Sequence, residues 1–321
     1  MKLGFLTACL PSLPLSDVVG WAAAAGYDAL EVAAWPDVPG RDWEASHLDV
    51  AALDAAGARE VRRLFDEHGL ELSAVAYYEN NLDTDPVRRA AVHEHLRRCI
   101  DAAQLLGCGL VGTFVGRDVA LTVEENLRLG EQVLPDLVGY AAARDVRLVV
   151  ENCPMEGWHP DGYPANLAYS PQLWDWMAGL GLWLNLDPSH LVWLGIDPAA
   201  VVAPYADRVL HVQAKDVEVS ASDRNRFGVF GNAVDRAASP WTSGWWRYRL
   251  PGSGQVDWAA FLAALADGGY DGVVSVEHED PVWTGSVERV THGLELAREA
   301  LAPAVAATPG HRTTDDRPEK G

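Results

Sequence analysis

The chain has 321 residues, 49% hydrophobic and 22% charged, an ordinary globular balance with length enough for one large domain or two modest ones. With 46 acidic against 25 basic residues the formal charge is -21, a surface that repels phosphate backbones. No Lys/Arg run supplies the basic stripe of a nucleic-acid binder, and no window approaches the roughly 20 apolar residues of a membrane span, so neither partner is expected.

The amino terminus, MKLGFLTACLPSLPLSD, is interrupted by Pro11 and Pro14 and lacks the layout of a secretory signal. Beyond it, strand-like and helix-like segments alternate. Strands are expected at 3–9, 29–35, 71–78, 109–115, 147–153, 182–187, 208–214 and 272–278. Helices are expected at 15–25, 50–68, 86–106, 122–144, 170–179, 197–203, 257–268 and 286–302. Asp85 followed by Pro86 marks the start of the third helix. Four cysteines, Cys9, Cys99, Cys108 and Cys153, form no CxxC pair and suit reduced thiols, which makes the cytoplasm the expected address.

Eight such alternations predict a (β/α)8 barrel spanning residues 1–302 as a single domain, with 303–321 a disordered polar tail. A doubly wound sheet is the competitor, but no GxGxxG fingerprint follows the first strand. A long insertion, 216–256, follows the seventh strand and therefore belongs to the carboxyl face, where barrel enzymes carry their sites. Its aromatic segment, Trp241, Trp245, Trp246 and Tyr248, reads either as a lid that stacks on a sugar or as a local mini-core beneath a long loop.

Ionisable residues gather where the later strands end. Glu151, Asp187, His211 and Glu277 fall on four consecutive strands in the inward pleat phase. A buried carboxylate is costly unless a counter-charge or a metal accompanies it. Three carboxylates and one imidazole form a mainly oxygen donor set that suits Mn²⁺ first, with Mg²⁺, Co²⁺ or Zn²⁺ as substitutes. Lys215 shares the inward phase of His211, and His190 lies just past the sixth strand; both are candidate substrate contacts. So are Glu156 and His159 in the loop after strand 5, and Trp246 in the insertion.

The motifs VVENCP, LNLDPSH, LHVQAKD and SVEHEDP, in this order, resemble those of the xylose-isomerase-like superfamily of TIM barrels, over about residues 1–302. The resemblance to its ketose 3-epimerase branch implies one divalent metal on Glu151, Asp187, His211 and Glu277, with Glu151 and Glu277 also moving the substrate proton. It implies His190 as a contact to a substrate oxygen. In the endonuclease branch the matching histidine holds an additional zinc, but strands 3 and 4 here end in AVAYYENN and VGTFVG, without metal-binding histidines. Many epimerase relatives carry an anchoring arginine where this chain has Val217, which leaves Lys215 as the candidate anchor.

The expected activity is therefore a sugar or sugar-phosphate isomerase or epimerase, acting by proton abstraction next to a metal-bound carbonyl. The alternative starts with the same abstraction and cleaves a 3-oxo-glycoside by β-elimination, as a C- or O-deglycosidase subunit with a small β-rich partner. A non-catalytic sugar-binding barrel or an apurinic endonuclease-like protein ranks below both. The partners expected are a small carbohydrate or glycoside and further copies of the chain.

Overall fold

The computed structural model describes residues 1–37, 45–155, 164–232 and 243–308. Eight parallel strands close into a barrel: β1 (Lys2–Leu6), β2 (Ala29–Ala33), β3 (Glu71–Ala76), β4 (Leu110–Thr113), β5 (Arg147–Glu151), β6 (Trp183–Leu186), β7 (Val209–Ala214) and β10 (Val273–Val276). The order around the barrel is β1-β10-β7-β6-β5-β4-β3-β2, so chain neighbours are spatial neighbours and β10 closes onto β1. Each expected strand is present. Several are shorter than expected, because the chain leaves the sheet once it reaches the carboxyl rim. Strand β1 stops at Leu6, and Thr7–Cys9 make a turn of 3-10 helix whose Thr7 Oγ1 accepts from the amide of Ala33 at 2.9 Å.

The helices form the outer ring: α1 (Leu15–Ala24), α2 (Ala55–His68), α3 (Pro86–Leu106), α4 (Val123–Ala142), α5 (Pro171–Gly179), α7 (Pro198–Tyr205), α9 (Trp258–Asp267) and α10 (Val287–Ala306). Their starts are written locally. Asp54, Asp85, Asp197 and Asp257 each accept backbone N–H groups of the first turn, and Thr122 with Glu125 completes a capping box. Helix α10 passes Pro303 and runs to Ala306, beyond the expected domain end at 302; the rest of the expected tail, 309–321, lies outside the described residues. All four cysteines are free, and among the described residues no helix is long and apolar enough to cross a membrane.

A short helix after β6 and a hairpin that carries its own helix were not expected, and all lie at the carboxyl face. Helix α6 (Pro188–Leu194) follows β6 at once, capped by Asp187 and ended by Gly195 at φ 77°, a left-handed conformation natural to glycine. Within the insertion, β8 (Asp216–Val219) pairs antiparallel with β9 (Trp246–Arg249), with α8 (Ala221–Phe227) between them. Pleat alternation divides this hairpin into two faces. Val217, Val219, Trp246 and Tyr248 lie on one, while Asp216, Glu218, Arg247 and Arg249 lie on the other. On the apolar side Trp246 stacks on Trp193 of α6, with ring centroids 4.5 Å apart and planes 10° apart.

Candidate active site at the carboxyl face

The barrel interior is layered by the strands that fill it. Low in the barrel, His211 is held at both ring nitrogens, by Asn185 Oδ1 at 3.0 Å and by Ser73 Oγ at 3.1 Å. Above it lies a polar layer centred on fully buried Glu31, which accepts from the Tyr78 hydroxyl, from Ser275 Oγ at 2.9 Å and from Gln213 Nε2 at 3.3 Å. Lys215 reaches the rim, two residues beyond Gln213 on the same inward phase.

At the rim, one oxygen each from Glu151, Asp187 and Glu277 lie within 4.8 Å of one another, all three residues buried. The expected fourth ligand, His211, does not join them. It stands four residues before Lys215 on β7, roughly 13 Å along a strand that rises about 3.3 Å per residue. The expectation of a Glu-Asp-His-Glu set is corrected accordingly to three carboxylates. Alternation assigned the face correctly, but a four-residue difference in depth on that face is invisible to it.

Lys215, expected as a substrate contact, instead sends its ammonium into the carboxylate group. Its Nζ lies 2.7 Å from Glu277, 3.0 Å from Glu279, 3.5 Å from Asp187 and 3.8 Å from Glu151. Burial alone would lower the Lys215 pKa, but the four surrounding carboxylates outweigh it and hold the pKa well above the ordinary lysine value. The carboxylates are also displaced. Burial pushes Glu151 up to about 8, raises Asp187, and raises Glu277 well above the usual range, while Lys215 opposes the rise in each.

His190, brought in by α6, is fully buried. Its Nε2 faces Glu151 Oε1 at 2.9 Å and Asp187 Oδ2 at 3.5 Å, while its Nδ1 meets the Tyr248 hydroxyl at 2.8 Å. Burial lowers its pKa to about 3, so the ring is neutral near pH 7. Tyr248 also places its ring 4.4 Å below the Lys215 ammonium.

Trp246, expected against the substrate, is 2% exposed within a mini-core with Val217, Trp245 and Trp193. Of the two readings of the aromatic segment, the mini-core is the one the described residues show. Trp246 meets Tyr248, with ring centroids 4.8 Å apart and planes at 61°. Glu156, His159 and Trp241 lie outside the described residues.

Sequence reasoning passed over Glu31, Tyr78 and Asn185. Glu31 and Asn185 lie on the inward phase of their strands, but Tyr78 lies past a register shift in the pairing of β3 with β2, and closure of the barrel brings the three together. Helix α6 had a plainer one: the run DPSHLVWLG carries an Asp cap, a Pro at the first position and a terminal Gly.

The donor set suits a divalent cation. Three buried carboxyl groups, with Glu279 beside them, face an ammonium and a neutral imidazole, and burial raises their pKa values, so a cation bound among them would stabilise their ionised form. Asp187 Oδ2 is a buried oxygen without a hydrogen-bond partner, as is Gln213 Oε1 in the layer beneath. All-oxygen coordination favours hard ions such as Mg²⁺ and Mn²⁺.

Among known proteins, the chain is 27% identical to the uncharacterised YfiH protein of Bacillus subtilis, across 95% of this chain and all of that protein. It is 27% identical to an inosose dehydratase of Clostridium botulinum over 121 residues, a match spanning 37% of this chain and 38% of that enzyme. Of solved structures, the IolI protein with a bound zinc atom superposes with a TM-score of 0.70 at 18% identity, covering 96% of this chain and 99% of IolI. A D-psicose 3-epimerase of Clostridium cellulolyticum H10, solved with D-tagatose, superposes with a TM-score of 0.65 at 16% identity, covering 95% and 99%. The family model for xylose isomerase-like TIM barrels matches residues 19–307, and the chain belongs to that family.

Proposed function

We propose that the protein is a divalent-metal-dependent isomerase or epimerase. It removes a proton from the carbon next to the carbonyl of a polyhydroxylated keto compound, then returns one to the same carbon or its neighbour. The observation that carries this reading is the pair Glu151 and Glu277, two buried carboxylates at one point of the barrel mouth. Carboxylates that reach one point from different strands can remove a proton there and return it. Similarity to a D-psicose 3-epimerase fold and to inosose dehydratases supports a sugar-like ketone as the substrate class.

Glu151, Asp187 and Glu277 would hold the cation, with Mn²⁺ the proposed ion. When bound, it supplies Lewis acidity that makes the carbon beside the carbonyl a stronger acid. The chain's own groups do the rest. Glu151 takes the proton, with His190 steadying its carboxylate from the far side. Lys215 and Glu277, 2.7 Å apart, offer a charged donor and a carboxyl group for the returning proton.

A second reading is elimination, in which a group β to the carbonyl leaves after the same abstraction. The inosose dehydratase match favours it, together with the Lys215 ammonium placed to donate to a departing oxygen. A 3-oxo-glycoside would undergo the same chemistry. Burial of Trp246 removes that residue as support for a bulky aglycone.

Incubating Mn²⁺-loaded protein in D₂O with ketoses, inososes and 3-oxo-glycosides tests both readings. Deuterium at the carbon next to the carbonyl, or a primary isotope effect when that carbon carries deuterium, is the expected result. An accumulating enone identifies elimination. Turnover without uptake from D₂O, with a deuterium placed on that carbon carried intramolecularly to its neighbour, would replace both readings with a hydride shift, and turnover with neither exchange nor isotope effect would show that this C–H bond is not broken. Full activity in metal-loaded Glu151→Gln would remove Glu151 as the base.

A further inference from the structure

Four carboxyl groups surround the Lys215 ammonium, and it does not stand midway among them. Its Nζ leans toward the β10 side, 2.7 Å from Glu277 and 3.0 Å from Glu279. Glu151 on β5 and Asp187 after β6 lie farther off, at 3.8 Å and 3.5 Å. The lean leaves Asp187 Oδ2 buried without a hydrogen-bond partner.

Glu279 differs from the other three. It follows Glu277 by two residues, past the end of β10, and its side chain is 23% exposed against 3% for Glu151 and 0% for Asp187. The oxygens that gather at one point come from Glu151, Asp187 and Glu277, and Glu279 is not among the three. Its contact is with the lysine. An ammonium and a divalent ion that draw on the same few oxygens repel each other steeply, because Coulomb energy rises as their separation falls and as water is excluded. The two can share the rim if the lysine's charge is held back from Glu151 and Asp187. A carboxylate outside the ligand group, on the β10 side, does this. Once its charge is gone, the nearest remaining counter-charges for the ammonium lie inside the ligand group, where the ion must sit.

We propose that Glu279 is a positioning residue for Lys215 and, through it, for the metal. Its carboxylate pairs with the ammonium and holds it toward β10, so that a divalent ion can bind Glu151, Asp187 and Glu277 beside a fixed positive charge. Lys215 is thereby kept at the edge of the ion, where it can meet a substrate oxygen. The assignment rests on the reading that these three carboxylates hold a divalent ion. It concerns the binding of that ion and not the reaction that follows.

The test is a double-mutant cycle on the full-length protein, read by calorimetric titration with Mn²⁺. Glu279→Gln keeps an acceptor oxygen and removes the charge, while Lys215→Met keeps an unbranched stem and removes the ammonium. In the wild-type background Glu279→Gln should weaken Mn²⁺ binding about tenfold or more. In Lys215→Met no ammonium remains to be held back, and adding Glu279→Gln should change the Kd by less than about threefold. Equal losses in the two backgrounds overturn the proposal, since Glu279 would then act on the ion or on the fold directly. Unchanged affinity in Glu279→Gln overturns it as well. Should Lys215→Met not fold, crystals of wild-type protein grown with Mn²⁺ decide: Nζ should stay at hydrogen-bond distance from Glu279, with the anomalous signal of the ion on the three carboxylates. An ion ligated by Glu279, or an ammonium that has left Glu279 while the ion is bound, refutes the assignment. Wild type that binds no Mn²⁺ removes the metal reading and this proposal together, whereas equal losses remove this proposal alone.

Discussion

Asp187 and His211 look equivalent in the sequence, each an ionisable residue on the inward face of an adjacent strand. Their surroundings separate them. Asp187 caps α6 through Oδ1, accepting from Ser189 N at 2.8 Å, and leaves Oδ2 buried without a hydrogen-bond partner. His211 has both ring nitrogens engaged in the lower barrel, and burial lowers its pKa, so it stays a neutral hydrogen-bonding strut. Calorimetric titration with Mn²⁺ should therefore find near-native stoichiometry in His211→Asn, provided the fold is intact. Asp187→Asn should weaken binding at least tenfold, about 1.4 kcal/mol, since it removes one of three ligand charges. Loss of the ion in folded His211→Asn would restore the histidine to the ligand set.

At the scale of elements, the insertion is tied down by one carboxylate. Asp216 is fully buried and accepts from the amides of Val217 at 2.8 Å, Gly252 at 3.0 Å, Gly254 at 3.1 Å and Val256 at 3.0 Å, and from Trp258 Nε1 at 3.1 Å. It thus clamps the end of the hairpin to the start of α9. The loop must come close to do so: a Cβ on Gly254 would meet Asp216 Oδ1 at 2.2 Å and the Val217 carbonyl oxygen at 2.5 Å. Asp216→Ala strands several buried donors at about 1–3 kcal/mol each, and a net loss of roughly 3 kcal/mol in chemical denaturation is expected. A loss below about 1 kcal/mol would show that the loop finds other partners. The opposite face of the hairpin carries Glu218, bridged to Arg247 at 2.8 Å and to Arg249, which in turn meets Asp280 at 2.8 Å. These pairs are partly exposed and add less than the clamp.

For the whole molecule, the site's charge should appear in the dependence of stability on pH. Glu151 has a folded pKa of about 8, raised by burial above the ordinary glutamate value of 4.5. Its contribution is fully present below about 4.5 and is lost as pH rises through 8. Histidines whose pKa burial lowers have the opposite sign. His47, His190, His211 and His278 are lowered by burial from 6.5, so stability falls as pH drops below that value and the unfolded chain takes up protons first. In chelator the melting temperature should peak between these limbs and decline toward pH 8. Glu151→Gln should flatten the upper decline, and so should saturating Mn²⁺, which favours the ionised carboxylates. A decline unchanged by both would place its cause elsewhere in this acidic chain.

The alternation of eight strands and eight helices was legible because each element carries its own period and caps. Asp54, Asp85, Asp197 and Asp257 start helices by contacts no more than three residues away, and no tertiary partner is needed to recognise them. The carboxylates at the strand ends were legible for a similar reason, since alternation along a strand is a local property that assigns Glu151 and Glu277 to the inward face. Depth was not local. His211, Gln213 and Lys215 share one face of β7, and which of them reaches the carboxylates depends on how the closed barrel tilts and staggers its strands. Tyr248 depended on tertiary structure still more. It is 97 residues from Glu151 in the chain, and only the pairing of β8 with β9 and the seat of Trp246 on α6 bring its hydroxyl to His190. Local contacts of the chain thus determined the elements and the chemistry at their ends. Closure of the barrel and docking of the hairpin decided which of those groups meet, because those contacts join residues that no local period relates.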